Sequence, residues 1–295
     1  MKSRPTDDQQ FLAALGRQVR HVRALRGMSR KVLARVSGIS ERYIAQLESG
    51  QGNVSIKLLR RAAAAMGVRV EDLIVDEAAP QDWPIIRDLL RGATPAQVAQ
   101  ARAVLAGGTA APAESRAVPP ADRVALIGLR GAGKSTLGRI AAERLGWSFV
   151  ELNREIERAN GLSVAEILAL YGQEGLRRRE QAMLRELIAR PGSLIVATGG
   201  GIVAEPLTFD LLLANFVTVW LKAAPEEHMA RVRQQGDLRP MADDRAAMAE
   251  LRTILESREP LYARAKVTVD TSGMAVETAA EKLLSAIAPA NRSPD

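Results

Sequence analysis

The chain has 295 residues, of which 47% are hydrophobic and 25% are charged, a balance typical of a globular protein. It contains no cysteine, which excludes disulfide frameworks and thiolate metal sites and fits a reducing cytoplasm. Two histidines are too few for a histidine-based metal cluster, and no apolar run is long enough to span a membrane. We therefore expect a cytoplasmic protein with no membrane partner.

Charge is divided unevenly along the chain. Residues 1–75 carry 14 Lys and Arg against 6 Asp and Glu, a net charge of +8, whereas residues 76–295 carry 27 against 28. A basic excess confined to one part is typical of a nucleic-acid-binding module attached to a near-neutral domain. We predict a DNA-binding domain over residues 1–75, a linker with a short helix over 76–122 and an effector-binding domain over 123–295.

The first of these parts has the pattern of a small helical domain. Apolar spacing and capping residues predict five helices, over residues 12–25, 30–36, 41–49, 55–66 and 70–74. Ser29 and Ser40 stand where the second and third helices need an N-cap, and Gly38 lies in the turn between them. Two short helices joined by such a turn indicate a helix-turn-helix motif.

The third helix is predicted to enter the major groove, where polar side chains reach base edges. Basic residues at the start of the second helix are placed for phosphates. The predicted DNA-binding residues are Arg30, Lys31, Ser40, Glu41, Arg42, Tyr43, Gln46 and Asn53. The sequence does not decide whether the Tyr43 side chain packs in the core or enters the groove. Glu48 is predicted to be a structural hydrogen-bond partner and not a reader of bases. We expect a homodimer on operator DNA, because modules of this type usually bind two half-sites.

The stretch LGRQVRHVRALRGMSRKVLARVSGISERYIAQLESG resembles the lambda-repressor/Cro-like family, also called the XRE family. The match covers all five predicted helices. It rests on Leu33-Ala34, Gly38, Ile44, Glu48 and Gly50 at the positions of their family equivalents. The resemblance implies an all-α DNA-binding domain. The alternative is a five-helix protein-interaction domain, which the local charge of +8 disfavours.

The middle of the chain changes in composition. Ala, Pro and Gly dominate residues 76–122, so a packed core is not expected there. Thr94-Pro95 predicts the start of one helix, over 96–105. An apolar cluster precedes it, comprising Trp83, Ile85, Ile86, Leu89 and Leu90. This segment is predicted either to pack on one of the domains or to form a dimer contact.

The stretch RVALIGLRGAGKST, residues 123–136, has the order of a phosphate-binding loop: a buried strand, a Gly-rich turn and a helix. The glycines let backbone N–H groups point at an anion, and the helix adds the positive end of its dipole. Lys134 supplies a charge for the outer phosphates, and Ser135 a hydroxyl for Mg²⁺. The predicted phosphate-binding residues are Gly128, Gly131, Ala132, Gly133, Lys134, Ser135 and Thr136. ATP and Mg²⁺ are the candidate cofactors, and the motif leaves open whether phosphate is transferred.

Strands and helices alternate through the rest of the chain. The predicted strands are 124–127, 148–151, 193–197, 216–221 and 266–270, and the predicted helices are 136–145, 163–170, 176–189, 225–234, 246–257 and 275–287. Alternation of this kind predicts an α/β domain with a five-stranded parallel sheet covered on both faces. Ligands of such domains bind at the carboxyl ends of the strands. The fold class is therefore multi-domain, all-α followed by α/β.

The motifs of this second domain, in order, resemble shikimate kinase. They are GLRGAGKSTLG, GQEGLRRRE from Gly172, ATGGG from Ala197, Leu238-Arg239-Pro240 and Arg258-Glu-Pro-Leu-Tyr262. The resemblance implies that Arg177 and Arg258 bind a substrate carboxylate and that Gly199, Gly200 and Gly201 approach the substrate. It also implies that Arg239 reaches the nucleotide from a lid over residues 236–245.

One departure from the shikimate kinase pattern concerns the second strand, which in the family ends in Asp-x-Asp. Here the stretch reads Glu151-Leu152-Asn153. Glu151 could still reach a metal ion, but the neutral amide of Asn153 cannot accept a proton as a carboxylate does. We therefore predict a domain that binds an effector, Glu151 and Asn153 included, and does not catalyse phosphoryl transfer. Gln173 and Leu176 also differ from the family, so the substrate need not be shikimate.

The pairing of the two domains resembles the BzdR/BoxR regulators of aromatic-acid catabolism, whose stretch SRKxLA…SGxSxRYxAQLExGxGNxSIxLL is close to residues 29–59. The resemblance implies repression of a benzoate operon, relieved by benzoyl-CoA. Two alternatives stay open: a working shikimate kinase with a DNA-binding domain, and a regulator whose DNA affinity is set by ATP.

Overall fold

The computed structural model describes residues 7–51, 54–74, 86, 89–90, 93–105, 122–234 and 244–287. The predicted contributions of Asn53, Trp83, Ile85 and Arg239 lie outside these ranges. Ile86, Leu89 and Leu90 are exposed, and helix α5, defined below, follows them. No helix in the described part of the chain is both long and apolar enough to cross a bilayer.

The N-terminal domain consists of four α-helices and a short 3₁₀ helix. They are α1 (Asp7–Leu25), α2 (Arg30–Ser37), α3 (Glu41–Glu48), α4 (Ile56–Ala65) and the 3₁₀ helix Val70–Asp72. The prediction of five helices is confirmed, except that the first begins five residues earlier and the last is a single 3₁₀ turn. Their apolar faces meet in one core that includes Val19, Leu33, Ile44, Leu47 and Met66.

The turn between α2 and α3 is fixed by caps at both ends. The hydroxyls of Ser29 and Ser40 each accept a hydrogen bond from the backbone N–H three residues on, at 3.2 Å. Gly38 adopts a φ of +65°, which only glycine accepts without strain. Arg61 of α4 donates to the carbonyl oxygen of Gly38 at 2.7 Å. These contacts set the angle at which α3 projects from the domain.

Glu48, at the end of α3, is the charged centre of this domain. Its carboxylate accepts hydrogen bonds from Nε of Arg23 at 2.5 Å and Nε of Arg30 at 2.7 Å. The side chains of Glu48 and Arg23 are almost fully buried, whereas that of Arg30 is 43% exposed. Glu48 therefore has the structural role that the sequence predicts.

Replacing Glu48 by Gln should destabilise the helical domain by about 3 kcal/mol, because the buried guanidinium of Arg23 loses its counter-charge. The measurement is denaturant unfolding followed by a signal of that domain. Glu71→Gln is the matched control, since Glu71 forms an exposed ion pair with Arg69, worth at most ~1 kcal/mol. Equal effects of the two substitutions would contradict this account of Glu48.

The C-terminal domain is a parallel sheet between two layers of helices. Its strands are β1 (Arg123–Ile127), β2 (Ser148–Glu151), β3 (Leu194–Ala197), β4 (Val217–Lys222) and β5 (Val267–Asp270). The remaining helices given in full by the described ranges are α5 (Pro95–Leu105), which precedes the sheet, and α6 (Lys134–Leu145), α7 (Leu152–Asn160), α8 (Val164–Ala189), α9 (Pro206–Asn215), α10 (Pro225–Gln234), α11 (Asp244–Tyr262) and α12 (Val276–Ile287). The strand order is β2-β3-β1-β4-β5 and all pairs are parallel, so the predicted five-stranded parallel sheet is confirmed.

The strands are apolar on both faces because helices cover both. Ala125 and Ile127 of β1 contribute to the core on one face, and Val124 and Leu126 to the core on the other. The register aligns Ala197, the last residue of β3, with Leu126, the next-to-last residue of β1, and with Glu151, the last residue of β2. The segments that follow these three strands therefore emerge side by side at one edge of the sheet.

Helix α8 consists of two helical parts that meet at a kink, because Gly172 has a φ of +66° and is not helical. The two predicted helices over 163–170 and 176–189 correspond to these parts. Two other helices of this domain differ from the predicted elements. Helices α7 and α9 were not predicted, although Leu152 and Ile156 are buried four residues apart. Pro206 opens α9, where its missing N–H costs nothing. Helix α7 directly follows the second strand, and α9 follows the glycine triplet after a single 3₁₀ turn. Neither helix is therefore set off from the preceding segment by a loop.

Candidate functional site

The phosphate-binding loop has the backbone that an anion site needs. Helix α6 begins at Lys134, two residues earlier than predicted, and Gly133 precedes it with a φ of +88° and no side-chain cap. The helix therefore presents free N–H groups at its positive end. A Cβ atom on Gly128 would stand 2.6 Å from the carbonyl oxygen of Leu221, so the loop can close only with glycine there. This cradle fits the phosphates of a nucleotide.

Lys134 is folded onto the same loop. Its Nζ donates to the carbonyl oxygens of Gly128 and Leu129, both at 2.8 Å, and its side chain is buried. Burial, with the positive charges of Arg258 and Arg130, lowers the pKa of Lys134 to about 7. An incoming phosphate would favour the charged form and give the ammonium a stronger partner than a carbonyl oxygen.

A cleft of about 580 Å³ joins the phosphate loop to the end of β3 and the start of α7. It is lined by residues from both predicted sets, including Gly131, Gly133, Lys134, Ser135, Thr136, Asn153, Gly199 and Gly200. Residues predicted to bind phosphate and part of the set predicted to bind the effector therefore share one cavity. Asn153 reaches it because it lies in the first turn of α7, directly after β2.

The glycine triplet after β3 connects the parts of the site. A Cβ atom on each glycine would stand within 3.2 Å of a different neighbour: Oδ1 of Asn153 for Gly199, the backbone nitrogen of Arg130 for Gly200 and Nη2 of Arg177 for Gly201. Larger residues would push these neighbours apart. Close approach, rather than an unusual φ, therefore favours glycine at these three positions, most strongly at Gly200, whose neighbour is backbone.

Arg177 and Arg258, which we call the arginine pair, converge on Gly201 beside the cleft. Nη1 of Arg177 donates to the Glu180 carboxylate at 2.6 Å, and its buried Nε has no hydrogen-bond partner. Nη1 of Arg258 donates to the carbonyl oxygen of Gly200 at 3.0 Å. Burial lowers the pKa of Arg258. Two buried cations with an unused donor suit a planar carboxylate ligand.

Glu180 and Tyr262 belong to the site although the sequence reasoning gave them no role. Glu180 is buried against Arg177, and the Tyr262 hydroxyl donates to the carbonyl oxygen of Gly200 at 2.7 Å. Burial raises the pKa of Tyr262, and its ring stacks on Trp220 at 5.7 Å. Glu180 is the last residue of the GQEGLRRRE motif, and Tyr262 is the last residue of the motif that begins at Arg258. Their places in these motifs are the feature of the sequence that could have indicated a role.

The described part of the chain holds no cluster of three or more His, Cys, Asp or Glu residues that could bind a metal ion. Glu151 does not line the cleft, and its carboxylate lies 2.5 Å from Nε of Arg154. Ser135 does line it. Its hydroxyl could therefore hold Mg²⁺ together with phosphate oxygens of a nucleotide, while a part for Glu151 stays a prediction.

The predicted DNA-binding residues that lie in the described ranges fall into two groups. Those with exposed side chains on α2 and α3 are Lys31, Glu41, Arg42 and Gln46. The others already have partners within the domain. Ser40 caps α3, Arg30 pairs with Glu48, and the Tyr43 hydroxyl accepts a hydrogen bond from the Ser55 N–H at 3.1 Å. Tyr43 also packs against the core.

The two folds define the class of protein: a helix-turn-helix domain joined to a phosphate-loop α/β domain. A helix-turn-helix family model matches residues 19–73. A shikimate kinase family model matches residues 130–288, more than half of the chain. The chain belongs to the shikimate kinase family, with the helix-turn-helix domain as its N-terminal addition.

Known relatives agree with this assignment. The chain is 37% identical to the shikimate kinase of Thiobacillus denitrificans over 156 residues, which cover 52% of this chain and 84% of that protein. It is 41% identical to the shikimate kinase of Parasynechococcus marenigrum over 144 residues, 49% of this chain and 74% of that one. The structure of Acinetobacter baumannii shikimate kinase in complex with shikimate matches with a TM-score of 0.53 and 31% identity, covering 60% of this chain and 97% of that chain.

The prediction that this domain is catalytically inactive is wrong as an inference from Asn153. Relatives that are 36–41% identical, and a solved structure with the same fold, are shikimate kinases and point to a kinase. The physical reason is that phosphoryl transfer depends mainly on positioning and on electrostatic stabilisation, with little demand on a base. The Asn153 amide can still orient a hydroxyl group, so losing one carboxylate does not establish inactivity.

His228 of α10 contacts the backbone of the phosphate loop. It is buried, and its Nδ1 lies 3.0 Å from the carbonyl oxygen of Arg130, to which the protonated nitrogen donates. Burial is the main cause that lowers the pKa of His228 to about 4. His228 is therefore a core histidine.

Stability should fall as the pH drops from 6.5 towards 4, because the unfolded chain protonates His228 near pH 6.5 and the folded chain does not. Between pH 7 and pH 5 this group should cost about 2 kcal/mol. His228→Asn keeps a donor near Nδ1 without a titrating ring, so its stability should fall less over that range. If the two proteins lost the same free energy of unfolding between pH 7 and pH 5, this assignment of His228 would be contradicted.

Proposed function

We propose that the protein is a cytoplasmic transcriptional regulator that binds operator DNA through α3 and senses a small anionic effector in the α/β cleft. One observation carries the proposal: the chain that holds the phosphate-loop cleft also holds a helix-turn-helix domain whose α3 exposes Glu41, Arg42 and Gln46. A family kinase acting on a small molecule alone has no use for such a surface.

The DNA side of the proposal is supported by charge and by exposure. The N-terminal 75 residues carry a net charge of +8, and DNA binding draws on such an excess. The side chains that would read bases lie on one helix, whose angle is fixed by the caps and by Gly38. Binding as a homodimer to two half-sites follows from the usual use of this motif.

The effector side is supported by the arrangement of cations. The arginine pair suits a carboxylate, and the phosphate loop suits a nucleotide or another phosphorylated group. Shikimate with ATP and Mg²⁺ has both features, and the named relatives favour it. Benzoyl-CoA offers phosphates and an aromatic group, and the resemblance to the BzdR/BoxR regulators favours it together with repression of an aromatic-acid operon.

A second function, phosphorylation of shikimate, is favoured by the relatives and by the cleft. Lys134, Ser135 and the glycine triplet occupy one cavity beside the arginine pair. Regulation and catalysis are compatible in one chain, because a domain that binds a substrate can also report its presence.

Duplexes selected from a random-sequence pool should contain two related half-sites. Arg42→Ala should change the preferred base at one position in each half-site, because an arginine that reads a base edge contributes about 1–3 kcal/mol of discrimination. Arg69→Ala, an exposed arginine outside α2 and α3, serves as the matched control and should leave the preference unchanged. If the selected duplexes shared no preferred sequence, sequence-specific DNA binding by α3 would be refuted.

ADP release from Mg-ATP should require shikimate if the second function holds, and Lys134→Met should abolish it, because the outer phosphates lose their cation. In a parallel assay, retention of the selected DNA should change when shikimate or benzoyl-CoA is added. The ligand that changes it identifies the effector. If neither ligand altered DNA retention, the sensing role would be refuted even with kinase activity intact.

A further inference from the structure

The end of α1 contacts the ligand end of the α/β domain through Arg258. Nε of Arg258 donates to the backbone carbonyl oxygen of Leu25 at 2.8 Å, and Nη2 donates to the same oxygen. Beside them, Nη1 of Arg26 donates to the carboxylate of Glu205 at 2.9 Å. We call residues 25–27 the docking segment, because they hold the helical domain against this end of the sheet.

The docking segment occupies the edge of Arg258 that a carboxylate would use. Nε and Nη2 form one side of the guanidinium fork, which can hold a carboxylate with two parallel hydrogen bonds. Here both donors share one neutral oxygen. Within the described ranges Arg258 forms no ion pair with a carboxylate. Its backbone acceptors there are the carbonyl oxygens of Leu25 and Gly200, and the Tyr262 hydroxyl also interacts with it.

The surroundings of this contact favour an anion. After burial, the positive charges of Arg177 and Arg26 also lower the pKa of Arg258. Glu205 faces Arg26 and Glu180 faces Arg177, so Arg258 is the cation of the three without a carboxylate. The buried Nε of Arg177 has no hydrogen-bond partner. A ligand carboxylate would satisfy both unmet demands, and hydrogen bonds between charged groups are about twice as strong as neutral ones.

We propose that a ligand carboxylate and the docking segment compete for Arg258, so that ligand binding releases the helical domain from the α/β domain. This rests on the proposed function, because it takes the arginine pair as the carboxylate site of that function. Linkage then requires docking to weaken ligand binding by the same factor by which the ligand weakens docking. The two domains are thus coupled through one guanidinium group.

Docking does not cover the surface that would read DNA. Glu41, Arg42 and Gln46 stay exposed while Leu25 is bound to Arg258. The contact therefore controls where the helical domain is held, and not whether its α3 is free. Because two half-sites fix the separation of two such domains, release would change how well a pair of them fits DNA.

The test uses shikimate as the probe and the intact chain. Arg26→Gln removes the ion pair with Glu205 and so loosens docking, while both arginines of the pair keep their side chains. It also removes a cation near Arg258 and frees Glu205, which lies 4.0 Å from Nε of Arg177. Both direct effects would weaken carboxylate binding, so they oppose the expected result and cannot imitate it. We expect calorimetry to show shikimate binding about fivefold tighter or more in this variant, the lower end of common coupling factors. Arg69→Gln removes an exposed arginine of the same domain and should leave the affinity unchanged.

A second measurement does not depend on the variant. The chain has no cysteine, so Ala64→Cys and Glu143→Cys place one fluorophore on each domain at exposed positions. Saturating shikimate should change the energy transfer between them, and Arg26→Gln should show that change without ligand. Unchanged or weaker binding by Arg26→Gln, constant energy transfer, or no shikimate binding at all would overturn the proposal. DNA selection without ligand tests the DNA-binding role separately.

Discussion

The structure depends on the pairing of a buried positive charge. A guanidinium removed from water must be hydrogen-bonded on all sides or it destabilises the fold. Arg258 is hydrogen-bonded to two carbonyl oxygens, one from the glycine triplet and one from Leu25 of the helical domain, but both are neutral and, in the described part of the chain, leave its charge unpaired. The hydrogen bond to Gly200 connects Arg258 with the cleft, and the hydrogen bond to Leu25 connects it with α1. The same side chain therefore belongs to the proposed carboxylate site and to the domain interface.

The rest of the site follows from the parallel sheet. Because the carboxyl ends of β1, β2 and β3 align, the phosphate loop, Asn153 and the glycine triplet must emerge together. The triplet then lets each neighbour approach within 3.2 Å of a Cβ position. Helix α11 brings Arg258 and Tyr262 to the same place, where both donate to the carbonyl oxygen of Gly200. One backbone oxygen thus connects the cleft with the helix that contacts the DNA-binding domain.

Local patterns predicted most of the fold, since strand runs, caps and the phosphate loop are signals within a few residues. Ser29, Ser40 and Gly38 were recognised in this way, and the five-stranded parallel sheet, though not its strand order, followed from alternation. Partners distant in sequence were not predictable: nothing near Arg26 indicates that it pairs with Glu205, because only the tertiary fold brings them together. The inference from Asn153 failed for another reason. It took one residue as decisive in a reaction that depends on many positioned charges.

A crystal structure of the intact chain with shikimate bound tests the central claim most directly. We expect the carboxylate of the ligand to take both Nε and Nη2 of Arg258, with the carbonyl oxygen of Leu25 withdrawn and the helical domain moved. A complex in which the carboxylate binds elsewhere, or in which Leu25 keeps its hydrogen bonds to Arg258 beside the ligand, would contradict the account.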